Sequence, residues 1–177
     1  MISLNLIKNY YVLTLLISAL FFNVAYAAPL IENSSREKVE NFSLVDISGT
    51  KHDLENYRGK VVIISLWTTW CKPCIRELKM LNKLRNSEVD NVEVLALSVD
   101  GPNTASRVYP VSRRNRFKFP VLLDTDSTIS AILNPRGSVP YTLYIDRSGK
   151  VAYTKRGFVS GDEKEIRNIV NLLLMES

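Results

Sequence analysis

Val61-Val62-Ile63-Ile64-Ser65-Leu66-Trp67 runs uncharged into Thr68-Thr69-Trp70-Cys71-Lys72-Pro73-Cys74-Ile75-Arg76-Glu77, and that junction decides the fold. The apolar run is too continuous for a strand with one wet face. It suits a central strand covered on both sides. Beyond it, Ile75, Leu78, Leu81 and Leu84 recur at helical spacing between Cys74 and Arg85, with Arg76, Lys79 and Lys83 turned outward. Cys71 and Cys74 are the two cysteines of the chain. Placed at a helix start, their spacing brings the sulfurs within bonding reach, because the first turn draws positions i and i+3 together. Unpaired N–H groups of the helix N-terminus favour a thiolate on the first sulfur. These residues point to reversible dithiol–disulfide chemistry.

Working outward, Phe42–Gly49 followed by Thr50 and Lys51 alternates apolar and polar around a turn and predicts a short hairpin. Leu54–Gly59 reads as a connecting turn, and Val92–Val99 as the next strand, stopped by Asp100-Gly101-Pro102. Residues 103–117 read as helical, with Pro110 kinking the segment or opening a new helix. Phe119–Leu123 reads as a short strand and Ser127–Leu133 as a short helix. Tyr141–Ile145 and Val151–Thr154 then flank the turn Asp146–Gly149 as an antiparallel pair. Gly161–Met175 closes the chain as a helix with Ile166, Ile169, Val170, Leu173 and Leu174 on one face. The order is β-α-β, a helical insertion, then β-β-α.

At 177 residues, 46% hydrophobic and 23% charged, the chain suits one globular domain with a substantial core. The formal charge of +5 is modest and no basic block is interleaved with aromatics, which argues against nucleic-acid binding. Arg113, Arg114 and Arg116 read as a solvated helix face. The first residues read as an export signal. Lys8 is the sole Lys or Arg before position 28, Tyr11–Phe22 is an uncharged apolar core, and Ala25-Tyr26-Ala27 offers the small-x-small cleavage pattern. Residues 1–27 are therefore expected to be a signal peptide, 28–40 a polar spacer and 41–177 the folded domain. That domain would face the periplasm or another space outside the cytoplasmic membrane. An uncleaved signal would leave it tethered to the membrane. With no cysteine beyond the pair, stability must come from packing.

Trp67–Glu77, with Ser138-Val139-Pro140-Tyr141-Thr142 and Ile145–Lys150, resembles the thioredoxin superfamily, and within it the exported TlpA/ResA-type thiol–disulfide oxidoreductases. The resemblance runs from about residue 36 to the C-terminus. It implies an α/β thioredoxin-like fold: a central mixed sheet flanked by helices, an N-terminal hairpin, and a helical insertion after the second core strand. It places the active site at the strand-to-helix junction.

In this reading Cys71 attacks a client disulfide and Cys74 resolves the mixed disulfide. Glu77, three residues past Cys74, shares its helix face. The resemblance makes it a partly buried carboxylate that disfavours thiolates and moves protons. Ser65 stands where cytosolic thioredoxins carry a buried aspartate, so another group must take that task. Lys72 is expected to face solvent and, with the helix dipole, to oppose Glu77. Val139-Pro140 resembles the family's cis-proline loop, which would present the Val139 backbone to a client strand. Trp67 is expected in the core, and Trp70 at the rim around Cys71, where it contacts substrate.

Zinc is disfavoured, because tetrahedral zinc wants four ligands and the chain offers two cysteines and one histidine, His52, which is far off in sequence and expected as a surface residue in a turn. No cofactor is expected. A peroxidase would use a P-x-x-x-T-x-x-C frame. Thr68 fits it, but Ile64 stands in the proline position. Ile75 after Cys74 excludes a C-x-x-C-H haem attachment. The expected partners are protein thiol or disulfide clients and a membrane electron donor. The expected activity is reduction, in cytochrome c maturation or disulfide repair. An oxidase or isomerase is the main alternative, and a non-catalytic assembly module the lesser one.

Overall fold

The computed structural model describes residues 30–87 and 90–176. The signal expected over residues 1–27 lies outside the described residues. A two-stranded antiparallel hairpin, β1 (Ser43–Val45) and β2 (Lys51–Asp53), precedes the main sheet. The main elements follow as β3 (Val61–Trp67), α1 (Lys72–Ser87), β4 (Val92–Ser98), α2 (Val108–Asn115), β5 (Val121–Leu123), α3 (Thr128–Leu133), β6 (Tyr141–Ile145), β7 (Val151–Arg156) and α4 (Asp162–Met175). The five-stranded sheet runs β5-β4-β3-β6-β7. β3 pairs parallel with β4 and antiparallel with β6, so the sheet is mixed, as expected.

Every residue of β3 and β4 is buried, which is why neither shows polar alternation. Val61, Ile63 and Trp67 face the layer of α1 and α4, alongside Leu78, Leu81, Ile166 and Ile169. Val62, Ile64 and Leu66 face the other way, into a second core with Val39, Phe42 and Leu54. The strand that carries the cysteines is thus clamped from both sides and from both neighbours. Among the described residues, no helix is long and apolar enough to cross a membrane.

The helix begins at Lys72, directly after Cys71, as the reading of the C-x-x-C at a helix start placed it. Two other local expectations, on His52 and on the spacer, need correction. Pro73 sits in the first turn, where its missing N–H is harmless. His52 lies in β2 and bonds to Asp46 and Tyr57; it does not sit in a turn.

The second correction concerns the spacer over 28–40, whose described part is docked on the domain. Ile31 N–H donates to Ala152 O, Val39 N–H to Gly149 O, and Val151 N–H to Glu37 O. Arg36 is buried and pairs with Asp146 at 2.9 Å and Glu176 at 2.7 Å. The segment looked unstructured because its contacts are backbone groups and one charged side chain, which leave no apolar period. As for Pro110, it stands in the first turn of α2, the helix-opening option.

Candidate active site

The loop between β3 and α1 is fixed by a carboxylate. Asp100, just past β4 and buried, accepts hydrogen bonds from Thr69 N–H at 2.8 Å, Thr69 Oγ1 at 2.7 Å and Ser98 Oγ at 3.1 Å. Val99 N–H donates to Trp67 O and Cys71 N–H to Thr68 O. The chain is thereby delivered to the helix start with Cys71 as its last loop residue.

Cys71 and Cys74 are joined by a disulfide with their Cα atoms 5.3 Å apart. Cys74 N–H donates to Cys71 Sγ at 3.2 Å, the helix-terminus contact that stabilises negative charge on that sulfur. Cys71 is 6% exposed and Cys74 0%. The first sulfur is the one a client can reach. Lys72 is exposed, as expected.

Glu77 is 0% exposed. It lies on the buried face of α1, with Thr142 Oγ1 donating to Oε1 at 2.8 Å and Ser65 Oγ to Oε2 at 3.1 Å. Burial pushes its pKa up to about 7, against the pull of the two hydroxyls and of Lys155. Near neutral pH such a carboxyl passes readily between both protonation states. Ser65, at the position of the thioredoxin aspartate, is itself a ligand of this group.

The Val139-Pro140 peptide is cis. Pro140 O accepts from Gly157 N–H. Trp67 is fully buried, as expected, and Trp70 is 67% exposed. Trp70 and Val139 line one cleft of about 340 Å³, together with Thr68, Asn134 and Gly137. A larger cavity of about 420 Å³ lies among the N-terminal segment, α3 and the outer strands, and neither cysteine lines it. Among the described residues, no cluster of His, Cys, Asp and Glu could hold a metal ion.

Asp100, Thr142 and Lys155 were not identified from sequence as site residues. Asp100 carried one faint signal, a carboxylate directly at the end of a buried strand. Thr142 entered only as the last residue of the Ser138–Thr142 motif, with nothing to mark its side chain, and Lys155 carried no signal.

The AhpC/TSA family model matches residues 36–154. Thiol-disulfide oxidoreductase ResA of Geobacillus thermodenitrificans is 34% identical over 153 residues, covering 83% of this chain and 84% of that protein. Thiol-disulfide oxidoreductase ResA of Bacillus subtilis is 30% identical over 165 residues, covering 92% and 89%. Among solved structures, the exposed lipoprotein thioredoxin Etrx1 of Streptococcus pneumoniae superposes with a TM-score of 0.65 at 23% identity. The match covers 75% of this chain and 99% of that one.

Proposed function

The chain belongs to the AhpC/TSA family and, through its ResA relatives, to the thiol–disulfide oxidoreductases; from that premise we propose that it reduces disulfides in exported polypeptides. Cys71 attacks the client disulfide, releasing one client thiolate and forming a mixed disulfide. Cys74 then attacks the Cys71 sulfur, Glu77 takes the Cys74 proton, and the second client thiolate leaves. Trp70, Val139 and Pro140 border the site where the client strand lies. Clients include wrongly paired cysteines and the C-x-x-C-H segments of c-type cytochromes.

The observation that carries this direction is the sealed Glu77 on the cysteine-bearing helix. A nearby buried negative charge raises thiol pKa values and outweighs the exposed Lys72, which water and salt screen. Thiols held protonated favour the disulfide product, and so make a reductant. Such a molecule needs recharging by a membrane dithiol donor. It works outside the cytoplasm after cleavage behind Ala27, or tethered by a retained signal.

Equilibration of the pair against glutathione or dithiothreitol tests the direction. The expected potential lies nearer the roughly −270 mV of thioredoxin than the roughly −120 mV of DsbA. A value more oxidising than about −180 mV would sink the reductase reading and promote an oxidase or isomerase.

A further inference from the structure

Thr142, which donates to Glu77, is the direct cross-strand partner of Lys155 on β7. Directly opposed residues on adjacent strands project from the same face with Cβ atoms about 5 Å apart. Lys155 therefore lies on the α1–α4 side of the sheet, with its side chain only 13% exposed. Its ammonium is clamped by two carboxylates of α4, Glu165 at 2.6 Å and Asp162 at 3.4 Å. Tyr153 Oη also donates to Glu165, at 2.8 Å. A lysine bent inward and held by two carboxylates of one helix is a costly arrangement for a surface charge, since exposed ion pairs contribute little.

We infer that Lys155 is a positioning residue of the exchange reaction: seated beside Thr142 and clamped by α4, its positive charge keeps Glu77 a proton acceptor for the Cys74 thiol. The inference rests on the proton-transfer role proposed for Glu77. In the resolving step the Cys74 S–H bond breaks and its proton goes to a Glu77 carboxylate oxygen. The Cys74 sulfur bonds to Cys71 as the Cys71–client S–S bond breaks, and the client sulfur departs with the electron pair as a thiolate. Without a cation nearby, a buried carboxylate would enter this step protonated more of the time and accept less readily, even with Thr142 and Ser65 donating to it. The ionisable groups that act on Glu77 from the elements packed against it are Tyr144 on β6, Lys155 on β7 and Asp162 on α4, with Cys74 on its own helix; Tyr153 and Glu165 bear on Lys155's side of the cluster. Lys155 is the cation in that set.

The test follows the resolving step by stopped flow. Reduced protein is mixed with oxidised glutathione across pH 5–9, and the midpoint of the resolution-rate profile is read. Lys155→Met is expected to move the midpoint up by about one pH unit, a normal size for a lost opposite charge. Lys155→Arg should return it to the wild-type position, and Asp162→Asn should move it down. The Lys155→Met shift should vanish in a Glu77→Gln background. An unchanged midpoint in Lys155→Met, shifts of the same sign in Lys155→Met and Asp162→Asn, or a shift that survives Glu77→Gln would overturn the inference. If Lys155→Met does not fold, Asp162→Asn decides: a downward shift supports it, and no shift or an upward one ends it. The potential at a single pH, which judges the reductase reading, plays no part in this comparison, so the two can fail separately.

Discussion

A carboxyl sealed beneath two hydroxyls, as Glu77 is, holds its proton more tightly in the folded protein than in the unfolded chain. Its folded pKa of about 7 stands above the ordinary 4.5. Its contribution to stability is therefore complete below pH 4.5 and drains away as pH rises through 7. The full span is about 3 kcal/mol at the usual conversion per unit. Urea unfolding of the oxidised protein should show the wild type losing stability between pH 5 and pH 8 by up to that amount. Glu77→Gln should be flat across the same window and slower in exchange; a wild-type profile as flat as the variant's would return Glu77 to a passive role. At the cysteines, burial predicts the order of reactivity. Limiting alkylation of the reduced protein, followed by peptide mapping, should label Cys71 first. Cys74→Ser should trap clients on Cys71, and preferential labelling of Cys74 would reverse the assigned roles.

At the scale of elements, the strand-to-helix junction depends on a residue from another strand's end. Asp100 collects three donors in a buried setting, and hydrogen bonds to a charged group contribute about 1.5–3 kcal/mol each. Asp100→Ala should cost about 2–3 kcal/mol after partial rehydration. It should also slow exchange while leaving the helix content unchanged. Circular dichroism with turnover of a small disulfide checks both, and full activity would show that the loop holds itself. Asp100 also shows where sequence reading stops. The C-x-x-C, the helix behind it and Pro140 are local patterns, so they were legible as residues and as elements. The Thr69–Asp100 bonds span 31 positions and Thr142–Glu77 spans 65. Such pairs are set by strand order and register, which periodicity does not report. Glu77 was legible because helix spacing aligns it with Cys74 and the family resemblance supplies the buried, proton-handling reading.

Across the whole molecule, the N-terminal segment and the C-terminal end meet at one side chain. Arg36 joins Asp146, at the end of β6, to Glu176, just past α4, at a separation of 110 residues for the first pair. Sequence composition marked this stretch as spacer, since a clasp made by one arginine leaves no pattern. Breaking a buried pair by removing one partner costs about 3–5 kcal/mol. Glu176 is partly open to water, so Arg36→Ala should fall near the lower end, about 3 kcal/mol. It should loosen the edge of β7, where Val39 and Glu37 pair, and amide exchange there would report it. Protection equal to wild type at Val39 and Val151 would show the segment to be a passive tail.

The Cys71–Cys74 bridge spans a separation of three residues, and the chain holds no other cysteine. A loop that short removes less freedom from the unfolded chain than a long-range bridge would, about 2 kcal/mol on the chain-entropy estimate, so the packed scaffold can open it and stay folded. The molecule therefore behaves as a single-charge cell. It carries one two-electron load, discharges it without loosening its own casing, and has no reserve thiol for a second delivery. In the proposed reductase role, a client with two misplaced bridges would need two visits, and with clients in excess the pace would be set by the donor that reloads the pair.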